Sequence, residues 1–266
     1  MALLATEWVS YLLLGAFAGT LAGLLGVGGG LIIVPVLVFI FSGHHFPAEV
    51  IVHIAVGTSL ATIAMTSISS TWAHHKHNAV IWPIFWRLAP GIILGTFIGA
   101  VIADVMNASS LRIFFGIFEL LVAAQMALNI KSPAHRQLPG WFGTSSTGSG
   151  IGILSAIVGI GGGTLTVPFL VWCNITMHKA VATSAACGLP IALAGTVAYA
   201  LTGLNEANMP EAATGYIYWP AFVGIVTTSI VFAPLGASLA HRLPVATLKR
   251  FFAVLLAVLG VRMLVG

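Results

Sequence analysis

The chain has 266 residues, of which 59% are hydrophobic and only 6% carry a charge, against roughly a quarter charged in an ordinary soluble domain. With a mean hydropathy of +1.06, water is excluded as its main solvent, and the length goes into several membrane spans with no room for a separate soluble domain. The formal charge of +4 does not point to nucleic acid, because the Lys and Arg residues form no basic stripe with interleaved aromatics.

The N-terminus has no basic start or small-residue cleavage site and carries Glu7 instead, so the first apolar segment is expected to stay in the mature protein. That segment runs over residues 8–41. An unbroken helix of that length would measure about 51 Å, against about 30 Å of hydrocarbon. It also contains the run Gly26-Val27-Gly28-Gly29-Gly30, in which each glycine weakens a helix by about 1 kcal/mol relative to Ala. A break there predicts a hairpin that enters and leaves the bilayer on one face. Spans are then expected over 50–72, 82–102 and 111–130. After a linker at 132–141 the pattern restarts, with apolar segments over 142–172, 180–203, 216–240 and 247–265. Cys173 and Cys187 fall in apolar stretches and are read as packing residues rather than a disulfide framework.

The second half repeats the first. Gly26, Gly28, Gly29, Gly30 and Pro35 match Gly159, Gly161, Gly162, Gly163 and Pro168. His53, Ala55, Val56, Thr58 and Ser59 match His178, Ala180, Val181, Thr183 and Ser184, and Trp82-Pro83 matches Trp219-Pro220. Gly99-Ala100 pairs with Gly236-Ala237, and Leu111-Arg112 with Leu248-Lys249. An order kept over nearly the whole chain is the mark of an internal repeat. The domain reading is a first transmembrane repeat at 1–131, a cytoplasmic linker at 132–141 and a second repeat at 142–266.

Parity separates two topologies. Four crossings per repeat would give both copies one orientation and split the ten basic residues evenly between the two faces. Three crossings plus a hairpin invert the second copy. They put Lys76, Arg87, Lys131, Arg136, Lys179, Arg242, Lys249 and Arg250 on one face and leave Arg112 and Arg262 opposite. Only the second arrangement carries the excess of positive charge that marks a cytoplasmic face. The expected fold is therefore an all-α polytopic membrane protein of two inverted repeats. Each repeat holds four apolar segments and opens on a glycine-broken re-entrant helix, and both termini lie outside, together with Glu7, Glu49, Asp104, Glu206 and Glu211.

In that arrangement the two breaks enter from opposite faces and can meet near the midplane. Each is followed by a short helix whose first N–H groups lack intrahelical acceptors and carry partial positive charge, which suits an anion. Glycine lets a ligand reach that backbone, so Gly26, Gly28, Gly29, Gly30, Gly159, Gly161, Gly162 and Gly163 are candidate binding residues. The same glycines would also serve close helix packing. Thr58, Ser59, Thr183 and Ser184 either donate hydroxyls to the same ligand or bond to carbonyls one turn back. Glu119 is the one carboxylate deep within a span, where a charge costs at least about 2.5–3.5 kcal/mol. It has Leu256 as its counterpart, and it is either a proton-coupling group or a neutral structural one. His53 and His178 are duplicated near span entrances, while His44, His45, His74, His75 and His77 fall in loops expected on opposite faces. No Ser-His-Asp, HExxH or Walker pattern is present, which argues against an enzyme or an ATP-driven pump.

On the stretches GLLGVGGGLIIVP from Gly23, AIVGIGGGTLTVP from Ala156, HKAVATS from His178 and LGASLAHRLP from Leu235, the sequence resembles the sulfite exporter TauE/SafE family of membrane permeases over nearly its whole length. The resemblance implies ATP-independent import or export of sulfite, sulfonates or related sulfur-containing anions across the cytoplasmic membrane, with no cofactor. The residues by themselves reach only a small anion. The first copy departs from the second in Gly57, where Ala182 stands, and in Gly43-His44-His45 between its first two spans. The expected partners are the lipid bilayer, the anion and, through Glu119, protons. The rival readings are a transition-metal permease and a membrane sensor that binds an anion without moving it.

Overall fold

A computed structural model of the chain describes residues 5–25, 28–44, 46–128, 137–206, 209–240 and 245–266. Gly26, His45, Lys131, Arg136, Arg242 and residues 132–136 of the 132–141 linker lie outside the described residues. The helices are α1 (Ala5–Leu25), α2 (Gly30–Gly43), α3 (Ile51–Lys76), α4 (Trp82–Val105), α5 (Ala108–Ala127), α6 (Trp141–Val158), α7 (Gly163–Trp172), α8 (Met177–Thr202), α9 (Trp219–Ala240) and α10 (Val245–Val265). Among the described residues, six of them are long and apolar enough to cross a membrane: α1, α3, α4, α5, α8 and α9. The chain is thus a nearly all-helical polytopic membrane protein.

The first segment of each half is two helices. Between α1 and α2, Gly28 and Gly29 hold left-handed φ values of +81° and +78°; between α6 and α7, Gly159 and Gly162 hold +72° and +75°. An L side chain in that region costs about 1–2 kcal/mol, so glycine is what allows the backbone to hold these left-handed positions ahead of α2 and α7. Gly29 and Gly162 cap their helices with nearly identical backbones, φ +78°, ψ −13° and φ +75°, ψ −15°. The chain then turns back. His44, capping the C-terminus of α2, bonds to Glu7 in the first turn of α1 at 3.1 Å, so both ends of the α1–α2 pair reach one end of the bundle.

Long helices pack in four pairs: α1 along α9, α6 along α4, α3 along α8 and α5 along α10. Hydrocarbon gives no hydrophobic drive between helices, so close backbone approach at small residues has to supply the contact. Gly91, Gly95 and Gly99 of α4 lie where a Cβ would overlap the carbonyl oxygens of Ser145, Ser149 and Ile153 on α6. On the other seam, a Cβ on Gly15 would overlap Ile225 O and one on Gly236 would overlap Thr20 O. Large apolar side chains such as Leu13, Leu94, Val105, Leu121 and Phe142 point outward, as a lipid-facing perimeter requires.

One element departs from an all-α reading. Ala213–Thr214 and Ile217–Tyr218 form an antiparallel hairpin, β1 and β2, with Ala213 opposite Tyr218 and Thr214 opposite Ile217. Gly215 turns it at φ +52°, and a Cβ there would overlap the carbonyl of Ala200. Tyr216 N–H donates to Tyr199 O at 3.2 Å, fastening the hairpin to α8. The strands are only two residues long each, below the length at which alternation is readable from sequence.

Candidate functional site

The two glycine breaks lie against each other. A Cβ built on Gly28 would sit 2.9 Å from Gly161 Cα and 3.1 Å from Gly161 N, and one on Gly30 would overlap Gly159 O. The four half-helices therefore converge, and the N-termini of α2 and α7 meet at the convergence. Their first-turn amides, at Gly30, Leu31, Gly163 and Thr164, are those a helix start leaves without an intrahelical acceptor. Of the candidate glycines, Gly28, Gly29, Gly30, Gly159, Gly161, Gly162 and Gly163 all belong to this junction.

The four candidate hydroxyls are fully buried, each with a defined partner. Ser59 Oγ donates to Gly159 O at 2.9 Å, which ties α3 to the second break. Thr58 Oγ1 accepts from Tyr218 N–H at 2.9 Å, and Thr183 Oγ1 accepts from Ile81 N–H at 3.0 Å. These two bonds correspond, since Tyr218 and Ile81 each precede a Trp-Pro helix start. Ser184 Oγ donates to Val181 O at 2.8 Å within its own helix. All four hydroxyls thus engage backbone in this conformation.

A small cavity opens between the breaks, lined by Ala22, Gly28, Thr66, Ser67, Ser70, Gly161 and Ala185. Its volume of about 10 Å³ is roughly the room one water needs, well short of an oxyanion with several heavy atoms. Thr66 Oγ1 donates to Thr62 O and shares a 2.9 Å bond with Ser229 Oγ on α9. Ser70 Oγ is buried without a partner among the described residues. Thr66, Ser67 and Ser70 were missed by sequence reasoning, because they have no duplicated partner: Ile191, Ala192 and Gly195 occupy the matching places on α8.

Glu119 lies on α5, fully buried, and neither carboxyl oxygen has a hydrogen-bond partner among the described residues. His53 is buried, its Nε2 lying 2.9 Å from Ala103 O and 3.1 Å from Met106 O at the C-terminus of α4. Its ring stacks on Tyr216 with centroids 5.1 Å apart. Burial and the neighbouring Asp104 carboxylate push the Tyr216 hydroxyl above its ordinary range, and it donates to Asp104 Oδ1 at 3.0 Å. His178, the repeat counterpart of His53, is exposed. Gly57 has a steric reason to be glycine, because a Cβ there would overlap Tyr216 O in the hairpin. His44 caps α2 and is bonded to Glu7, while His75, in the last turn of α3, accepts from Trp82 Nε1 at 3.4 Å. Among the described residues no three His, Cys, Asp or Glu side chains form a metal-ligating group.

Known proteins of this kind are membrane transporters. The chain is 39% identical over 254 residues to a "probable membrane transporter protein" of Haemophilus influenzae, covering 95% of this chain and 96% of that one. It is 27% identical to the probable membrane transporter protein YunE of Bacillus subtilis, with 97% of each chain covered. It is 28% identical to the probable membrane transporter protein MJ0441 of Methanocaldococcus jannaschii, with 95% of this chain and 94% of that one covered. No solved structure matches it. The family model for sulfite exporter TauE/SafE matches residues 11–263, so the chain, with its paired glycine breaks, belongs to the sulfite exporter TauE/SafE family of membrane transporters.

Proposed function

We propose that this transporter is a secondary permease that moves a small sulfur-containing anion, sulfite or an organosulfonate, across the cytoplasmic membrane, and that it does so at the junction of the two glycine breaks. The observation that carries this reading is the meeting of the α2 and α7 N-termini across Gly28 and Gly161. Helices of 14 and 10 residues joined N-terminus to N-terminus measure together about 36 Å, close to a bilayer's thickness. Their meeting point then falls inside the hydrocarbon layer, where irregular backbone is tolerated only beside protein or a cavity. Two helix N-termini aimed at one point form a positive focus for an anion without a buried cation.

We infer inverted repeats from contacts that exchange between the halves. Gly99 of α4 meets Ile153 of α6, while its counterpart Gly236 of α9 meets Thr20 of α1, the counterpart of Ile153. Ile81–Thr183 and Tyr218–Thr58 form a second such exchange. Reciprocal contact of this kind is the signature of a two-fold relation. Within it, α1–α2 and α6–α7 are re-entrant hairpins from opposite faces, and both termini lie outside with the 203–218 segment. Transport then consists of parting the closed junction toward one face at a time, with Glu119 as the proton-coupling group. Flux of labelled sulfite, sulfoacetate and taurine in proteoliposomes, with and without a proton gradient, tests the reading. Saturable, ATP-independent movement of a sulfur oxyanion is expected, and binding without flux would reduce the protein to a sensor.

A further inference from the structure

The cavity between the breaks is one-sided, and its walls are neutral. Its polar groups come from a single helix, where Thr66, Ser67 and Ser70 of α3 face Gly28, Gly161 and Ala185. Under the repeat correspondence that pairs His53 with His178, the mirror-related positions hold Ile191, Ala192, Gly195 and Leu60. That mirror region is filled with hydrocarbon: Ile191 and Leu60 are fully buried, and Leu60 would lie 2.8 Å from a Cβ on Gly195. On the open side, Gly188 of α8 packs closely against the cavity wall. A Cβ there would lie 3.0 Å from Ser67 Oγ and 2.8 Å from Gly161 O, whereas its counterpart Ile63 is a large side chain packed toward Gly28.

We infer that Ser67 and Ser70, with the backbone at Gly28 and Gly161, form a single asymmetric binding site for a small oxyanion that carries no amino group. The inference rests on the anion-transport reading above and assigns the ligand's hydroxyl donors to residues outside the duplicated set. Thr66 is already committed to Thr62 O and Ser229 and holds the wall to α9. Ser70 is 4% exposed, and its Oγ has no hydrogen-bond partner among the described residues. A buried hydroxyl left unbonded is costly; the closed cavity has room for one water beside it, and an anion oxygen takes that place once the junction parts. Among the described residues the lining offers no carboxylate, so an aminosulfonate zwitterion would bury its ammonium without a counter-charge. A site of hydroxyls and glycine backbone at the two breaks instead suits an anion with oxygens on one centre, each able to accept.

The full chain in proteoliposomes is tested with labelled sulfite. Ser67→Ala and Ser70→Ala are each expected to raise the apparent KM about 10-fold, the effect of losing one hydrogen bond to a charged ligand. Gly188→Ala should do the same by pressing a methyl on Ser67 and Gly161, and Thr227→Ala, exposed on α9 and bonded to its own helix, should leave KM unchanged. Sulfite-dependent thermal stabilisation of the detergent-solubilised protein reads binding separately from flux. It should shrink in Ser67→Ala and Ser70→Ala, and taurine should give none in the wild type. Wild-type KM and wild-type stabilisation in both serine variants would overturn this site while leaving anion transport standing, and taurine transport as efficient as that of sulfite would overturn the ligand class. Absence of anion flux and of stabilisation in the wild type would remove the transport reading and this site with it.

Discussion

Gly28→Ala tests the junction most directly, because both of its consequences can be worked from backbone positions. Gly28 sits at φ +81°, where an L residue costs about 1–2 kcal/mol. The added methyl would meet Gly161 Cα at 2.9 Å and Gly161 N at 3.1 Å, and its neighbour is the backbone of the facing break, which has no rotamer to change. Overpacking of that kind adds about 1–3 kcal/mol, for a total of about 2–5 kcal/mol, a large share of a typical stability of about 5–15 kcal/mol. The protein should still insert, melt at a lower temperature in detergent and lose sulfite flux, because the breaks are forced apart. Gly150→Ala is the control. That glycine lies inside α6 with open space around its Cβ position, so the change should be neutral or stabilising by about 0.4–1 kcal/mol. Unchanged melting and flux in Gly28→Ala would mean that the two breaks are not in contact, and the proposed site would go with them.

Gly29→Leu and Gly162→Leu should abolish transport in protein that still reaches the membrane, since each places a side chain at a left-handed helix cap beside the first-turn amides; flux with wild-type affinity would dismiss the glycine site. Single-cysteine labelling should find residues 77–78 and 211 on opposite faces, with the C-terminus on the side of 211. The native Cys173 and Cys187 are both buried and give little background, and labelling of residue 77 and the C-terminus from one side would refute the inverted topology. Glu119→Gln keeps size while removing the proton from a carboxyl that is fully buried and unpartnered among the described residues. It should retain counterflow exchange and lose accumulation driven by a pH gradient, and unchanged pH-driven accumulation would end the coupling role.

Composition and periodicity alone were enough for a polytopic helical membrane protein, because lipid leaves the backbone so few options that apolar length maps almost directly onto helices. The expected spans over 50–72, 82–102 and 111–130 correspond to α3, α4 and α5, with ends moved by a few residues. The family was legible too, since its marks are glycines and prolines whose backbone roles do not depend on their neighbours. Hydroxyl roles depend wholly on neighbours. Thr58 and Thr183 look like ligand donors in the sequence, yet each accepts a backbone N–H from a helix start over 100 residues away, which no local pattern encodes. Ser67 and Ser70 look like ordinary small residues of a membrane helix. Only packing puts them beside Gly28 and Gly161, with Gly188 so close that a Cβ there would press on Ser67. The matching sequence positions even hide them, because duplicated residues draw the eye. The cavity exists where the halves differ: hydrocarbon fills one side of the junction and hydroxyls line the other, a difference that depends on which helix faces which and so is decided by the tertiary structure.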